Sequence, residues 1–125
     1  MKQQEAIEQI KVIQYCDLRK LPVYHVPNGG SRNKLEAANL KRQGVRAGVP
    51  DLCFPVALRG YHGMYIEMKA GKNKTTDAQD DWLELLQRNG YYVAVCYGFD
   101  GARQVIDWYF EEVLRHGKRK TIDAC

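Results

Sequence analysis

Seven consecutive residues, Tyr91-Tyr92-Val93-Ala94-Val95-Cys96-Tyr97, carry no charge and little polarity. A strand wet on one face alternates apolar and polar residues, whereas an unbroken apolar run is the pattern of a strand covered on both faces. This run therefore predicts a strand at the centre of a sheet, with helices above and below it. It is also the longest strongly apolar run in the chain, far short of the ~20 residues needed to cross a bilayer. The 125-residue length favours one domain over two and is enough to bury one core. The expected domain is 1–125, with its core over about 3–115 and a mobile tail over 117–125.

Other elements arrange themselves around that strand. Gln3 to Leu21 has the period of an amphipathic helix, with Ala6, Ile10, Ile13 and Cys16 on one side and Glu8, Lys11, Gln14 and Tyr15 facing away. Pro22 ends it. Val23 to Val26 is a short β-like run before a Pro27-Asn28-Gly29-Gly30 turn signal. Asn33 with Glu36 opens a small helix that Gly44 closes. Asp51–Val56 and Met64–Lys69 are strand candidates with two glycines between them. Thr76-Asp77-Ala78-Gln79 is a capping box for a helix reaching Asn89, with Trp82, Leu85 and Leu86 as its apolar stripe. A last helix is expected from about Ala102 to Arg115. The order α-β-(α)-β-β-α-β-α implies an α/β layer built on one sheet.

Several chemistries lack their parts. Cys16, Cys53, Cys96 and Cys125 form no C-x-x-C pair, so zinc has no ligand spacing to use, and Cys53 and Cys96 read as small buried hydrophobes. His25, His62 and His116 share no ligand spacing either, and neither G-x-S-x-G nor a P-loop occurs. Trp82 and Trp108 read as core residues. The N-terminus has no apolar h-region, which favours a cytoplasmic protein.

The chemistry concentrates on Met64-Tyr65-Ile66-Glu67-Met68-Lys69. Alternation sends Met64, Ile66 and Met68 to one face and Tyr65, Glu67 and Lys69 to the other. An isolated Glu-x-Lys is worth little as a signal, but Gly48-Val49-Pro50-Asp51-Leu52 puts an aspartate at the start of the neighbouring strand. If the two strands pair, Asp51 and Glu67 converge at one end of the sheet. Two carboxylates there make a hard oxygen site suited to Mg²⁺ or Mn²⁺. A lysine beside it supplies what phosphodiester hydrolysis needs, orienting water and stabilising charge. The competing reading is a non-catalytic nucleic-acid-binding module with Asp51, Glu67 and Lys69 as a static charge network.

Pro50-Asp51 followed by Glu67-Met68-Lys69 resembles the PD-(D/E)XK nuclease superfamily. Gly48-Val49-Pro50-Asp51-Leu52, Ile66-Glu67-Met68-Lys69 and the helix with Gln79 before Trp82-Leu83 resemble its VRR-NUC family, over about Leu21 to Val113. The resemblance implies a restriction-endonuclease-like αβββαβ core with a central mixed sheet flanked by helices. It implies a metal-dependent DNA endonuclease acting on branched DNA such as four-way (Holliday) junctions in phage or bacterial replication and repair, working as a homodimer. It assigns Asp51, Glu67 and the Met68 backbone carbonyl to Mg²⁺ or Mn²⁺, and makes Lys69 the catalytic lysine. A first-helix glutamate also reaches the metal region, often through water. Glu5, which projects with Val12 and Cys16, fits better than Glu8, which projects with Lys11 and Tyr15. Gln79 either completes its capping box or holds water or phosphate, and the two are compatible. Asn28 is either a turn former or a DNA contact.

The charge is distributed to match. Between Asn28 and Pro50 lie Arg32, Lys34, Lys41, Arg42 and Arg46 against Glu36 alone, which accounts for the whole net charge of +4. A basic segment leading into Asp51 is where a DNA backbone would be neutralised, with Arg32, Arg42 and Arg46 as candidates. Lys72 and Lys74, after the catalytic strand, form a second candidate patch.

Overall fold

The computed structural model describes residues 3–27 and 33–116. Asn28 and Arg32, the tail after His116 and the turn after Pro27 lie outside the described residues. Helix α1 spans Gln3–Arg19, strand β1 Tyr24–His25, helix α2 Lys34–Arg42, strand β2 Leu52–Phe54 and strand β3 Met64–Lys69. Helix α3 spans Asp77–Arg88, strand β4 Tyr92–Tyr97, helix α4 Gly98–Tyr109 and helix α5 Glu111–His116.

The strands form one four-stranded sheet in the order β1-β2-β3-β4. β1 and β2 are antiparallel, as are β2 and β3, while β3 and β4 run parallel. A parallel pair needs a crossover, and α3 provides it. This is the expected mixed α/β sheet flanked by helices. One expectation fails. The apolar run of β4 lies at the edge of the sheet, and β3 is a central strand. The run packs against α3 and α4, with Cys96 buried, Tyr92 to Val95 half-buried and Tyr97 exposed, so an apolar run requires neither full burial nor a central place.

Local chemistry explains most boundaries. Asn33 caps α2 by accepting from the backbone N–H groups of Leu35 and Glu36, and Gly44 follows its end at φ +107°. Thr76 and Gln79 close the reciprocal box at the start of α3. The last helix is two: α4 starts at Gly98, earlier than expected, and breaks at Phe110 before α5. Its first turn has no side-chain cap from Tyr97. Instead Glu8 of α1 accepts the Phe99 N–H at 2.8 Å, a cap that comes from a distant part of the chain.

The core lies on one face of the sheet. Met64, Ile66 and Met68 of β3 are fully buried against Val12 and Cys16 of α1 and Ala102, Ile106 and Tyr109 of α4. Burying each such side chain contributes roughly 1.5–3 kcal/mol. Here too the helix faces differ from expectation. Ile10 is 56% exposed, whereas the inward line of α1 is Glu5, Val12 and Cys16. Glu8 and Tyr15 do not face away: Glu8 turns to α4, and the Tyr15 hydroxyl donates to Asp107. On α3, Leu85 is exposed while Trp82, Leu83 and Leu86 are half-buried. Trp108 is not a core residue; it lies under the Arg59 guanidinium, 4.3 Å from ring centroid to Cζ. Among the described residues no helix is long and apolar enough to cross a membrane.

Candidate active site

The second face of the sheet carries the ionisable groups, and register gathers them. Leu52 pairs with Ile66, so Asp51, one residue before β2, stands beside Glu67. The loop that delivers Asp51 is tightly seated. Gly48, at φ +93°, packs so closely on Ala78 of α3 that a Cβ would lie 2.7 Å from backbone atoms. Only glycine fits both the conformation and the space. The start of α3 and the approach to Asp51 are thereby locked together.

Four charged side chains are buried in the described molecule, and all belong to this cluster: Glu5, Asp51, Glu67 and Lys69. Buried charges are tolerated where they are paired or hydrogen-bonded. Asp51 Oδ2 accepts the Met68 backbone N–H at 2.8 Å. Glu67 Oε2 accepts Gln79 Nε2 at 2.9 Å and lies 3.8 Å from Lys69 Nζ. Glu5 Oε2 accepts Asn73 Nδ2 at 3.1 Å. Gln79 completes its capping box as expected, with Oε1 accepting the Thr76 N–H, and its Nε2 donates to Glu67, a partner the sequence did not suggest.

Two side-chain oxygens here are left over: among the described residues, Glu67 Oε1 and Gln9 Oε1 are buried with no hydrogen-bond partner. Burial, reinforced by the Asp51 charge, pushes the Glu67 carboxyl up to about 8, against the attraction of Lys69. Burial also raises Asp51, although the Met68 N–H and His25 oppose the rise. Two facing carboxylates with one unsatisfied oxygen need a proton or a cation between them. The donor set is all hard oxygen, so it fits Mg²⁺ or Mn²⁺. Among the described residues, no three acidic, His or Cys side chains are gathered tightly enough to close a metal shell by themselves. A small hard cation that keeps several waters does not need such a cage.

The structure adds three participants that sequence reasoning missed. His25 of β1 places Nδ1 3.1 Å from the Asp51 carbonyl oxygen and 3.1 Å from Gln9 Nε2. Asn73 holds Glu5 from the loop after β3. Asn73 lies between Lys72 and Lys74, two residues read only for charge. Gln9 follows Glu5 by one helical turn, a spacing that was available as a signal. The remaining basic candidates sit on the surface: Arg42 in the last turn of α2, Arg46 in the loop before Gly48, and Lys72 and Lys74 after β3, all exposed. Cys53 and Cys96 are buried as expected, and burial pushes the Cys96 thiol up to about 12, so it is inert.

Comparison with known proteins bears on this arrangement. The family model of the VRR-NUC domain matches residues 3–100. That span takes in α1 with Glu5, beginning and ending earlier than the Leu21–Val113 stretch carrying the motifs. No curated protein matches. A solved structure described as a VRR-NUC domain protein shares 33% identity with this chain, covering 89% of it and 91% of its own length, at a TM-score of 0.76. The domain match spans most of the chain and includes the Pro50-Asp51, Glu67-Met68-Lys69 and Gln79 positions, so the chain belongs to the VRR-NUC family and has a nuclease-type fold.

Proposed function

We propose that the protein is a Mg²⁺- or Mn²⁺-dependent DNA endonuclease, hydrolysing phosphodiesters with Asp51, Glu67 and Lys69. The observation that carries this reading is the unpartnered, buried Oε1 of Glu67 beside a second carboxylate. A bound cation would relieve the desolvation penalty of that oxygen. Asp51, Glu67 and the Met68 carbonyl would hold the metal, with Glu5 reaching it through water. The bound metal supplies a water of lowered pKa and neutralises charge on the phosphate.

The chain's own groups do the rest. The Met68 N–H and Gln79 amide fix the two carboxylates, so neither has to reorganise during reaction. Lys69, nine-tenths buried and 3.8 Å from Glu67, orients the attacking water and stabilises the developing phosphorane charge. Asn73 and His25 hold Glu5 and the Asp51 backbone in place. Arg42 and Arg46, with Lys72 and Lys74, take the DNA backbone, as do Asn28 and Arg32. Neutralising Arg42 and Arg46 together should flatten the salt dependence of DNA binding by a log–log slope of about 2.

The reading extends to branched DNA, four-way junctions included, cut by a homodimer in the cytoplasm of a bacterium or a phage-infected cell. A body with a radius of gyration of ~14 Å spans little of a junction, and an isologous pair spans it with two active sites. The test is one panel. Supercoiled plasmid and a synthetic four-way junction are incubated with protein in Mg²⁺, Mn²⁺ or EDTA. Cleavage is expected only with metal, and Lys69→Ala and Glu67→Ala should abolish it. Full cleavage by either variant removes the proposed site.

A further inference from the structure

The ionisable row on β3 has a neighbour on the same face. Tyr24, Cys53, Tyr65 and Val93 pair in sequence across the four strands, so their side chains form one row. Glu67, two residues along β3 from Tyr65, belongs with Asp51 to the next row, roughly 7 Å away. Helices α1 and α4 occupy the opposite face of the sheet, and α3 covers this face over β4. Among the described residues, Tyr24 of this row is 53% exposed and Tyr65 is half-buried.

The Tyr65 ring of this row is held in place. Tyr65 meets Tyr91 edge-to-face at 5.4 Å, and Tyr91 meets His62 in the same way at 5.9 Å. Gly90 leaves room for His62, since a Cβ there would lie 2.5 Å from the imidazole. Cys53, 5% exposed, stands between Tyr24 and Tyr65 in the row. Rigid, amphipathic, partly exposed tyrosines beside a phosphate site are suited to a flat π-surface. Within a duplex every base already has neighbours on both faces, whereas an unpaired base has a face free to stack.

We infer that the Tyr24–Cys53–Tyr65 row is a stacking shelf for an unpaired nucleobase one nucleotide from the phosphate at Asp51 and Glu67, so that the enzyme binds DNA more tightly where a base beside the cut is unpaired or unstacked, as a branch point allows. This inference rests on the nuclease reading and adds the substrate feature that the site recognises.

The test uses oligonucleotides carrying 2-aminopurine either unpaired beside a duplex or within it, bound in Ca²⁺ to separate binding from cleavage. Wild-type protein should quench the unpaired probe and bind it more tightly than the paired one. Tyr24→Ala should weaken binding to the unpaired probe by about 5- to 150-fold and abolish its quench. Tyr24→Phe, which keeps the ring, should retain both, as should Leu18→Ala on the exposed side of α1. Equal affinity of wild type and Tyr24→Ala overturns the shelf, and so does a loss in Tyr24→Phe as large as in Tyr24→Ala. Sedimentation velocity on the same proteins adds a third arm: a dimer that dissociates in Tyr24→Ala assigns the surface to a second copy and overturns the inference. Wild-type protein that cuts no DNA in any metal defeats the nuclease reading, whereas a loss confined to Tyr24→Ala concerns the shelf alone.

Discussion

At Met64, Ile66 and Met68 on one face and Glu67 and Lys69 on the other, β3 is buried to nearly the same depth, and the two faces act on stability with opposite sign. Met64, Ile66 and Met68 have no exposed surface, and Glu67 and Lys69 retain only 2% and 7%. On the first face, removal from water is the driving force of folding. On the second, desolvation of a carboxylate and an ammonium opposes folding, and the Gln79 hydrogen bond to Glu67 together with the Lys69–Glu67 pair recovers only part of it. Depth of burial therefore does not mark a stabilising residue. The face packed on α1 and α4 holds the sheet rigid, and the opposite face uses that rigidity to keep charges where they would not stay unaided.

Glu67→Gln breaks this comparison most sharply. It should reduce cleavage by at least about 10²- to 10³-fold while stabilising the metal-free protein at pH 8. Folding raises the Glu67 carboxyl from 4.5 to about 8. Between those values the unfolded chain has released the proton and the folded chain has kept it. Stability of the wild type in EDTA should therefore fall as pH rises through this window and level off above it. Thermal melts from pH 5 to pH 9 should show a flatter curve for Glu67→Gln, and parallel curves would assign the titration elsewhere. On the opposite face, Ile66→Ala should cost about 2–5 kcal/mol of stability. Its cleavage rate per folded molecule should stay at the wild-type level, and a loss of activity at full folding would show that the two faces are not separable.

Two glutamates on α1 repeat the comparison at smaller scale. Glu5 lies among carboxylates with Asn73 as its donor. Glu8, one turn on, faces the start of α4 and pairs with Lys11 at 3.0 Å, and the Phe99 N–H holds its carboxyl below the usual range. Glu5→Ala should lower cleavage about 10- to 100-fold. Glu8→Ala should leave cleavage intact and lower the melting temperature, because it uncaps a helix. Equal losses of activity would mean that the facing of α1 has been misjudged.

What was legible in the sequence depended on whether its cause was local. The alternation in Met64–Lys69 is a property of adjacent residues, so the division of β3 into an apolar and an ionisable face could be read directly. The Thr76–Gln79 and Asn33 caps were legible for the same reason. The start of α4 was not, because its cap is Glu8, ninety-one residues away. The edge position of β4 was hidden because an apolar run records what covers a strand and says nothing of its rank in the sheet. Ile10 pointed the wrong way because apolar residues alone defined the facing of α1, while Glu5 occupies the inward position nearest the carboxylates. His25 and Asn73 carried no motif, and only the folded chain brings them to Asp51 and Glu5.

Gln79 also bears on how this position tolerates change. Its oxygen serves helix α3 and its nitrogen serves Glu67, so one side chain answers two unrelated demands through its two ends. A glutamate there would satisfy the helix equally well, since a capping box accepts either residue. It would also add a fourth carboxylate to the cluster, against Glu67, one oxygen of which already lacks a partner among the described residues. The preference for the amide is therefore imposed by the neighbouring strand rather than by the helix. Helix propensity and capping rules judge the two residues alike and would overlook the difference.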